Sequence, residues 1–110
     1  MTPDRARLTP AELGAPLGER ATLVQFSSTF CAPCRAARRT LERVVATDDG
    51  VAHVELDVAD RTDLGERFGV TVTPTVLVLD ARGAVVRRAS GAPTLAQARA
   101  AVAHAAAHAG

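Results

Sequence analysis

The chain has 110 residues, 47% of them hydrophobic, and a formal net charge of +1 at pH 7. This length suits one domain, and we expect residues 1–110 to form a single domain that buries a core without disulfide staples. The composition excludes an intrinsically disordered chain. The balanced charge gives no general case for binding nucleic acid or an anionic membrane, and we expect neither partner.

The first twenty residues contain no apolar segment of the kind found in secretory leaders, and no stretch approaches the length of a membrane span. We therefore expect a cytoplasmic protein. Stable disulfides are rare in the cytoplasm, so a Cys-x-x-Cys pair there is more often catalytic or metal-binding than structural.

The N-terminal half predicts a short helix, a buried strand and a long helix. The sequence TPAE at 9–12 is a capping-box pattern with proline at the first helical position. The apolar run over 21–26 predicts a buried strand. Residues 31–47 predict a helix, because their apolar residues recur on one face. The residues of that apolar face are Ala37, Leu41, Val44 and Val45.

The C-terminal half predicts two further helices and three strands. In chain order they are a strand over 51–58, a short helix within 60–69, a hairpin of strands over 75–80 and 84–89, and a helix over 94–110. Gly83 suits the turn of the hairpin. Thr94 and Gln97 form a second capping box, at the start of the last helix.

The element order α-β-α-β-α-β-β-α predicts an α/β fold. A strand–helix–strand unit needs parallel strands and a right-handed crossover, and the hairpin adds antiparallel strands. We therefore expect a central four-stranded mixed sheet flanked by helices on both faces. The sheet would be five-stranded if residues 1–8 added an edge strand, but MTPDRARL is a poor strand sequence.

Both cysteines of the chain lie in the stretch FSSTFCAPCRAARR at 26–39. Two cysteines at i and i+3 in a first helical turn lie about 5–6 Å apart at Cβ, so a small rotation brings them to disulfide distance. Cys31 lies at the helix N-terminus, where unpaired N–H groups stabilise a thiolate nucleophile. We expect Cys34, one turn inside, to be more buried and to act as the resolving thiol.

The sequence FCAPC after LVQFSS, with VTPT about forty residues later and then a hairpin, resembles the thioredoxin family from about Thr22 to the C-terminal helix. The abundance of Ala, Val and Arg, with no Lys, is typical of a GC-rich bacterial genome. The resemblance implies the thioredoxin fold and a thiol-disulfide oxidoreductase that reduces protein disulfides through a Cys-Ala-Pro-Cys motif. It also implies a monomer that needs no cofactor and is itself reduced by an NADPH-linked thioredoxin reductase.

The same resemblance assigns roles around the two thiols. Pro33 matches the family motif, whereas Phe30 and Ala32 stand where the family usually has Trp and Gly, beside the bound substrate. The family's cis-proline falls on Pro74. This implies an extended loop opposite Cys31, where the backbone of Thr73 pairs with a substrate segment.

Two departures from the family concern the proton of the resolving thiol. The family's buried Asp aligns with Gln25 and its Lys partner aligns with Glu55, while Ser27 replaces a Trp. Glutamine cannot take a proton, so either Glu55 or water must do so. Alternation along the second strand puts Glu55 on the same face as His53, which leaves its distance from the thiols open.

Other interpretations of these residues remain. The domain could be a more oxidising disulfide oxidase or isomerase, or a thioredoxin-fold binding or chaperone module. A zinc site would need two ligands beyond the cysteines, and no second Cys-x-x-Cys is present, so we expect no metal. We expect His53, His104 and His108 to lie at the surface.

Two further sets of side chains complete the predictions. The basic group Arg35, Arg38 and Arg39 either attracts acidic partners or forms a solvated helix face. Phe26 and Phe68 are expected in the core, and Phe30 is expected as a hydrophobic cover beside the thiols.

Overall fold

Four helices and four strands make up the computed structural model, which describes residues 6–108. They are α1 (Pro10–Leu13), β1 (Ala21–Ser27), α2 (Ala32–Thr47), β2 (Val51–Asp57), α3 (Thr62–Arg67), β3 (Thr75–Asp80), β4 (Val85–Ser90) and α4 (Leu95–Ala107). The predicted element order is confirmed, and no strand boundary differs from the prediction by more than one residue.

The two predicted capping boxes are confirmed. At α1, the Thr9 hydroxyl accepts the Glu12 N–H at 3.2 Å, and the Glu12 carboxylate accepts the Thr9 N–H at 3.0 Å. At α4, Thr94 and Gln97 make the same reciprocal pair. Each box satisfies two N–H groups that a helix start would otherwise leave unpaired.

The strands form a mixed sheet in the order β2-β1-β3-β4. β1 pairs in parallel with β2, whereas β3 runs antiparallel to both β1 and β4. The predicted four-stranded mixed sheet is therefore confirmed. Of the segment considered as a fifth strand, residues 1–5 lie outside the described residues, and Arg7 makes an isolated antiparallel bridge to Ala84.

Alternation along the strands divides the core into two layers. Between the sheet and helices α2 and α4, β1 contributes Ala21 and Leu23. On the opposite face it contributes Val24 and Phe26, which pack with the layer that contains α1 and α3. Phe26 is fully buried and Phe68 packs against this second layer, as predicted. The central strands are thus held from both sides, which fixes where their ends lie.

The buried carboxylate of Asp80 connects the hairpin to the end of α4. One of its oxygens accepts the N–H groups of Arg82 and Ala84, and the other lies 2.8 Å from Nδ1 of His108. His108 is exposed, as expected, and it also supplies a partner to a buried acid, because the end of α4 lies next to the β3–β4 turn. His104 is exposed, as expected.

We predict that Asp80→Asn destabilises the protein in a pH-dependent way. Burial raises the pKa of the Asp80 carboxyl, but the hydrogen bonds from His108, Ala84 and Arg82 outweigh it and hold this pKa below its usual value of 3.8. The stabilisation is therefore present above about pH 4 and is lost as the pH falls through the folded-state pKa. We expect Asp80→Asn to lower the free energy of unfolding by about 1–2 kcal/mol near neutral pH.

Urea unfolding followed by circular dichroism tests this prediction. The difference between the wild type and Asp80→Asn should shrink as the pH falls below about 4. Asp49→Asn, at an exposed position with no ion pair within residues 6–108, is the matched control and should change little. A difference that stays constant down to about pH 3 would contradict the assignment of Asp80 as the titrating group.

Candidate active site

Cys31 and Cys34 form a disulfide at the N-terminus of α2, with their Cα atoms 5.2 Å apart. Cys31 is the N-cap residue, and its Sγ accepts the backbone N–H of Cys34 at 3.1 Å. Cys31 is partly exposed, whereas Cys34 is 1% exposed. Pro33 fits the first turn because its missing N–H would have no helical partner there. The two sulfur atoms therefore differ in access and in their distance from the helix end, as expected.

The loop before β3 forms the opposite wall of the site. The peptide bond between Thr73 and Pro74 is cis, as the family resemblance implies. The carbonyl oxygen of Thr73 lies 3.8 Å from Sγ of Cys31. A hydrogen bond of 2.7 Å joins the hydroxyls of Ser28 and Thr73, and the N–H of Gly91 donates to the carbonyl of Pro74. The loop is thus tied to both β1 and the end of β4.

Exposed apolar side chains belong to both segments of the site, the turn before α2 and the loop before β3. Phe30 is 97% exposed and Val72 is 51% exposed, and they are the exposed large hydrophobic residues within residues 6–108. Ala32 and Pro33 are also exposed. Phe30 has a left-handed φ of 58° in the turn before the helix. The expectation that Phe30 forms a hydrophobic cover beside the thiols is wrong, because its side chain is almost wholly in solvent.

A fully buried amide, that of Gln25, lies beneath the cysteines. Its Nε2 donates to the carbonyl of Cys34 at 2.8 Å and to the hydroxyl of Ser27 at 3.0 Å, and it lies 3.4 Å from a Glu55 oxygen. These acceptors fix the orientation of the amide. Its Oε1, 3.0 Å from Nε2 of His53, must then accept a hydrogen bond from the N–H of that ring nitrogen. Gln25 therefore joins α2 to β1 and β2.

Arg38 and Glu55 form a two-point ion pair at the edge of this network. Nε and Nη2 of Arg38 donate to the two oxygens of Glu55 at 2.6 and 2.9 Å. Ser27 also donates to Glu55, at 2.7 Å. The hydrogen bonds from Arg38 are the main reason that the pKa of Glu55 is lowered, and burial only partly opposes them. Glu55 is therefore an anion near neutral pH and a weak base.

His53 is half-buried and hydrogen-bonded, so the prediction that it is a surface residue is wrong. The reason is its register: His53 pairs with Leu23 in the sheet and lies on the face that α2 covers. Burial is the main cause that lowers the pKa of His53 below its usual value of 6.5. The ring is therefore neutral at pH 7, with its proton on the nitrogen that faces Gln25.

Three features of the site were not predicted from the sequence: the Arg38–Glu55 pair, the Ser28–Thr73 hydrogen bond and the burial of His53. A signal existed for the first, because a right-handed crossover packs α2 over β1 and β2 and brings the flank of the helix close to β2. No sequence signal distinguishes Ser28 from any other polar residue in a loop.

Within residues 6–108, no group of three or more His, Cys, Asp or Glu side chains could hold a metal ion.

The thioredoxin family model matches residues 8–104, so the chain belongs to the thioredoxin family. It is 31% identical to a thioredoxin of Echinococcus granulosus over 61 residues, which are 56% of this chain and 57% of that protein. It is 36% identical to thioredoxin H2 of Arabidopsis thaliana over 70 residues, 64% of this chain and 52% of that protein. The chain thus aligns with about half the length of these relatives.

Solved thioredoxin structures show the same fold. A thioredoxin of Nicotiana alata superimposes with a TM-score of 0.70 at 28% identity, and the match covers 79% of this chain and 74% of that one. A thioredoxin of Fasciola hepatica gives a TM-score of 0.69 at 25% identity, over 80% of this chain and 83% of that one. Within residues 6–108, none of the helices is long and apolar enough to cross a membrane.

We predict that Arg38→Gln raises the pKa of the Glu55 carboxyl. Arg38 provides the largest effect that lowers this pKa, and its removal leaves burial opposed mainly by Ser27. The shift can be followed by a carboxyl-carbon NMR titration of the protein labelled on glutamate. Arg39→Gln is the matched control, because Arg39 is the exposed neighbour of Arg38 and has no ion pair within residues 6–108. A Glu55 titration that is the same in both variants would show that Arg38 does not set this pKa.

Proposed function

We propose that this protein reduces protein disulfides by dithiol–disulfide exchange at Cys31 and Cys34. The observation that carries the proposal is the contrast between the two sulfur atoms: Cys31 is partly exposed at the helix N-terminus, and Cys34 is buried beside it. A thiolate at a helix N-terminus is stabilised by unpaired N–H groups. Family membership supports the same chemistry.

The reaction takes two steps. The Cys31 thiolate attacks one sulfur of the substrate disulfide, whose S–S bond breaks as a mixed disulfide forms and the first substrate thiolate leaves. Cys34 then loses its proton and attacks Sγ of Cys31, which releases the second substrate thiolate. Two electrons pass to the substrate, and the protein ends with the Cys31–Cys34 disulfide seen in the structure. A single cysteine would stop at the mixed disulfide.

The loop of Thr73 and Pro74 is the proposed binding platform for the substrate backbone. The carbonyl of Thr73 lies next to Cys31, and the loop is fixed by hydrogen bonds to Ser28 and Gly91. An extended substrate segment can pair with the backbone at Thr73 while its cysteine faces Cys31. Phe30 and Ala32, both exposed, then offer apolar contact to the neighbouring substrate side chains.

The proposal includes a cytoplasmic monomer formed by a single domain and reduced by an NADPH-linked thioredoxin reductase. Family membership and the sequence support this part of the proposal. A coupled assay tests the role of the reductase: a bacterial thioredoxin reductase should oxidise NADPH only when this protein and a disulfide substrate are both present.

A more oxidising disulfide oxidase or isomerase is the second candidate. The observation that favours it is the neutral Gln25 at the position of the family's buried acid, together with Ala32 in the motif. The reduction potential against glutathione separates the two functions. A reductase should lie near the thioredoxin value of about −270 mV, and an isomerase near about −180 mV.

We predict that Cys31 is the nucleophile and Cys34 the resolving thiol. The wild type should accelerate the precipitation of insulin by dithiothreitol, and Cys31→Ser should abolish this activity. Cys34→Ser should accumulate a mixed disulfide with its substrate, because the thiol that releases it is gone. Non-reducing electrophoresis and mass spectrometry detect the complex.

The control for this prediction is a comparison of the two single variants under the same conditions. Equal trapping by both, or faster alkylation of Cys34 than of Cys31 in the reduced wild type, would show that the assignment of roles is wrong. A wild type that does not accelerate insulin reduction would instead indicate a binding or chaperone module.

We propose that water, rather than Glu55, takes the proton of Cys34. Glu55 belongs to the network below the cysteines, but it reaches the carbonyl of Cys34 only through Gln25, and its pair with Arg38 makes it a weak base. Glu55→Gln should therefore change the rate of the resolving step by less than about twofold, where a true general base contributes about 100-fold or more.

Gln25→Asp supplies the missing base and should accelerate the resolving step, most clearly below about pH 7, where hydroxide is scarce. The measurement is single-turnover reduction of a model disulfide from about pH 5.5 to about pH 8.5, a range that includes the ordinary pKa values of His, about 6.5, and Cys, about 8.5. Glu42→Gln, at an exposed position of α2, is the control for a lost charge. A tenfold or larger slowing in Glu55→Gln alone would identify Glu55 as the proton acceptor.

A further inference from the structure

We infer that three arginines on the exposed face of α2 bind an acidic segment of the protein whose disulfide reacts at Cys31. These residues, called the arginine stripe below, are Arg35, Arg39 and Arg43. The inference rests on the proposed function and names the class of substrate that the site prefers: a protein disulfide with a run of Asp or Glu near it.

The stripe begins at the nucleophile. Residues four apart lie on one face of a helix, so Arg35, Arg39 and Arg43 form a row about 12 Å long. Cys31 is the residue four positions before Arg35, and the N–H of Arg35 donates to the carbonyl of Cys31 at 3.2 Å. Because a helical side chain covers the turn before its own Cα, Arg35 lies over the turn that holds Cys31.

The three guanidinium groups have no acidic partner within residues 6–108. In the same part of the chain, Arg20, Arg38, Arg61 and Arg67 each form an ion pair with an Asp or Glu. The acid of α2 is Glu42, and its charge acts on Arg38, which is paired with Glu55. Arg38 is therefore paired and does not belong to the stripe. The charge of the stripe is left available to a partner.

Helix stability does not explain this arrangement. Like charges at i and i+4 repel each other, and a cation near a helix N-terminus opposes the helix dipole, as Arg35 does here. The chain as a whole carries a net charge of only +1, so the stripe is a local concentration of charge. Favourable contact with an acidic partner offsets these costs, and it also raises the rate of encounter at Cys31.

A protein partner fits the stripe better than a nucleic acid does. The row begins next to a sulfur that reacts with disulfides. Two exposed apolar residues belong to the segments at that sulfur: Phe30 precedes Cys31, and Val72 precedes Thr73. A docked substrate would place its cysteine at Cys31, apolar residues over Phe30 and Val72, and its acidic segment along α2.

The test compares three disulfide-containing peptides that differ only in a flanking segment rich in Glu, Gln or Lys. The segment is placed before the disulfide in one set and after it in another. Exposed ion pairs contribute about twofold each, so three of them should raise kcat/KM for the best Glu peptide about eightfold over the Gln peptide. The preference should fall as ionic strength rises from about 0.01 M to about 0.1 M, where the screening length drops from about 30 to about 10 Å.

The triple variant Arg35→Gln, Arg39→Gln, Arg43→Gln should lose this preference. Its reduction of the small neutral disulfide bis(2-hydroxyethyl) disulfide should stay within about twofold of the wild type, because that substrate has no charge to be recognised. Arg87→Gln is the matched control, since Arg87 is exposed on β4 and has no ion pair within residues 6–108. It should keep the full preference for the Glu peptide. Circular dichroism confirms that each variant is folded.

The outcomes separate the two proposals. Equal kcat/KM for the Glu and Lys peptides, or a preference that the triple variant retains, overturns the inference and leaves the proposed function intact. Failure of the wild type to accelerate the reduction of insulin overturns the proposed function itself. Binding of a short DNA duplex that depends on the three arginines, without a preference among the peptides, assigns the stripe to nucleic acid and also overturns the inference.

Discussion

The hydrogen bond from the Gln25 amide to the carbonyl of Cys34 fixes α2 to β1 at the point where both cysteines lie. The first turn of the helix carries the disulfide, so this contact determines where the two sulfur atoms face. The one remaining N–H proton of the amide lies near Ser27 and Glu55, and its oxygen lies next to His53. These three residues belong to β1 and β2. A rotation of the helix would leave a buried amide unsatisfied, and that is expensive.

The site is built from two such fixed surfaces. The antiparallel pairing of β1 with β3 brings the last residues of β1 next to the first residues of β3, at one end of these two strands. Ser28 and Thr73, one from each segment, are joined there by their hydroxyls. Cys31 therefore faces the carbonyl of Thr73 across a gap between the segment that follows β1 and the segment that precedes β3. The sheet determines the width of this gap, and the loops contribute the side chains.

Much of the fold could be predicted from the sequence, because each element carried its own local signal. The capping boxes at Thr9 and Thr94 marked two helix starts, and short apolar runs marked the buried strands. The chemistry of the cysteine pair could be predicted from its spacing and residue type. The role of Pro74 was implied by the resemblance to the thioredoxin family. Contacts that depend on tertiary packing carried no such signal. His53 was predicted at the surface because its burial depends on how α2 packs on the sheet, and the contact of His108 with Asp80 depends on where α4 ends relative to the β3–β4 turn.

The charges around Gln25 limit which substitutions evolution can make at positions 25, 38 and 55. Arg38 and Glu55 cancel each other's charge, and the amide between Glu55 and Cys34 is neutral. The family pattern instead places an acid at position 25 and a lysine at position 55. Glu55→Lys alone would set two cations against each other, and an acid introduced alone at Gln25 would face an existing carboxylate. Single steps between the two arrangements are therefore unfavourable, so positions 25, 38 and 55 are expected to covary among homologues, as an epistatic unit.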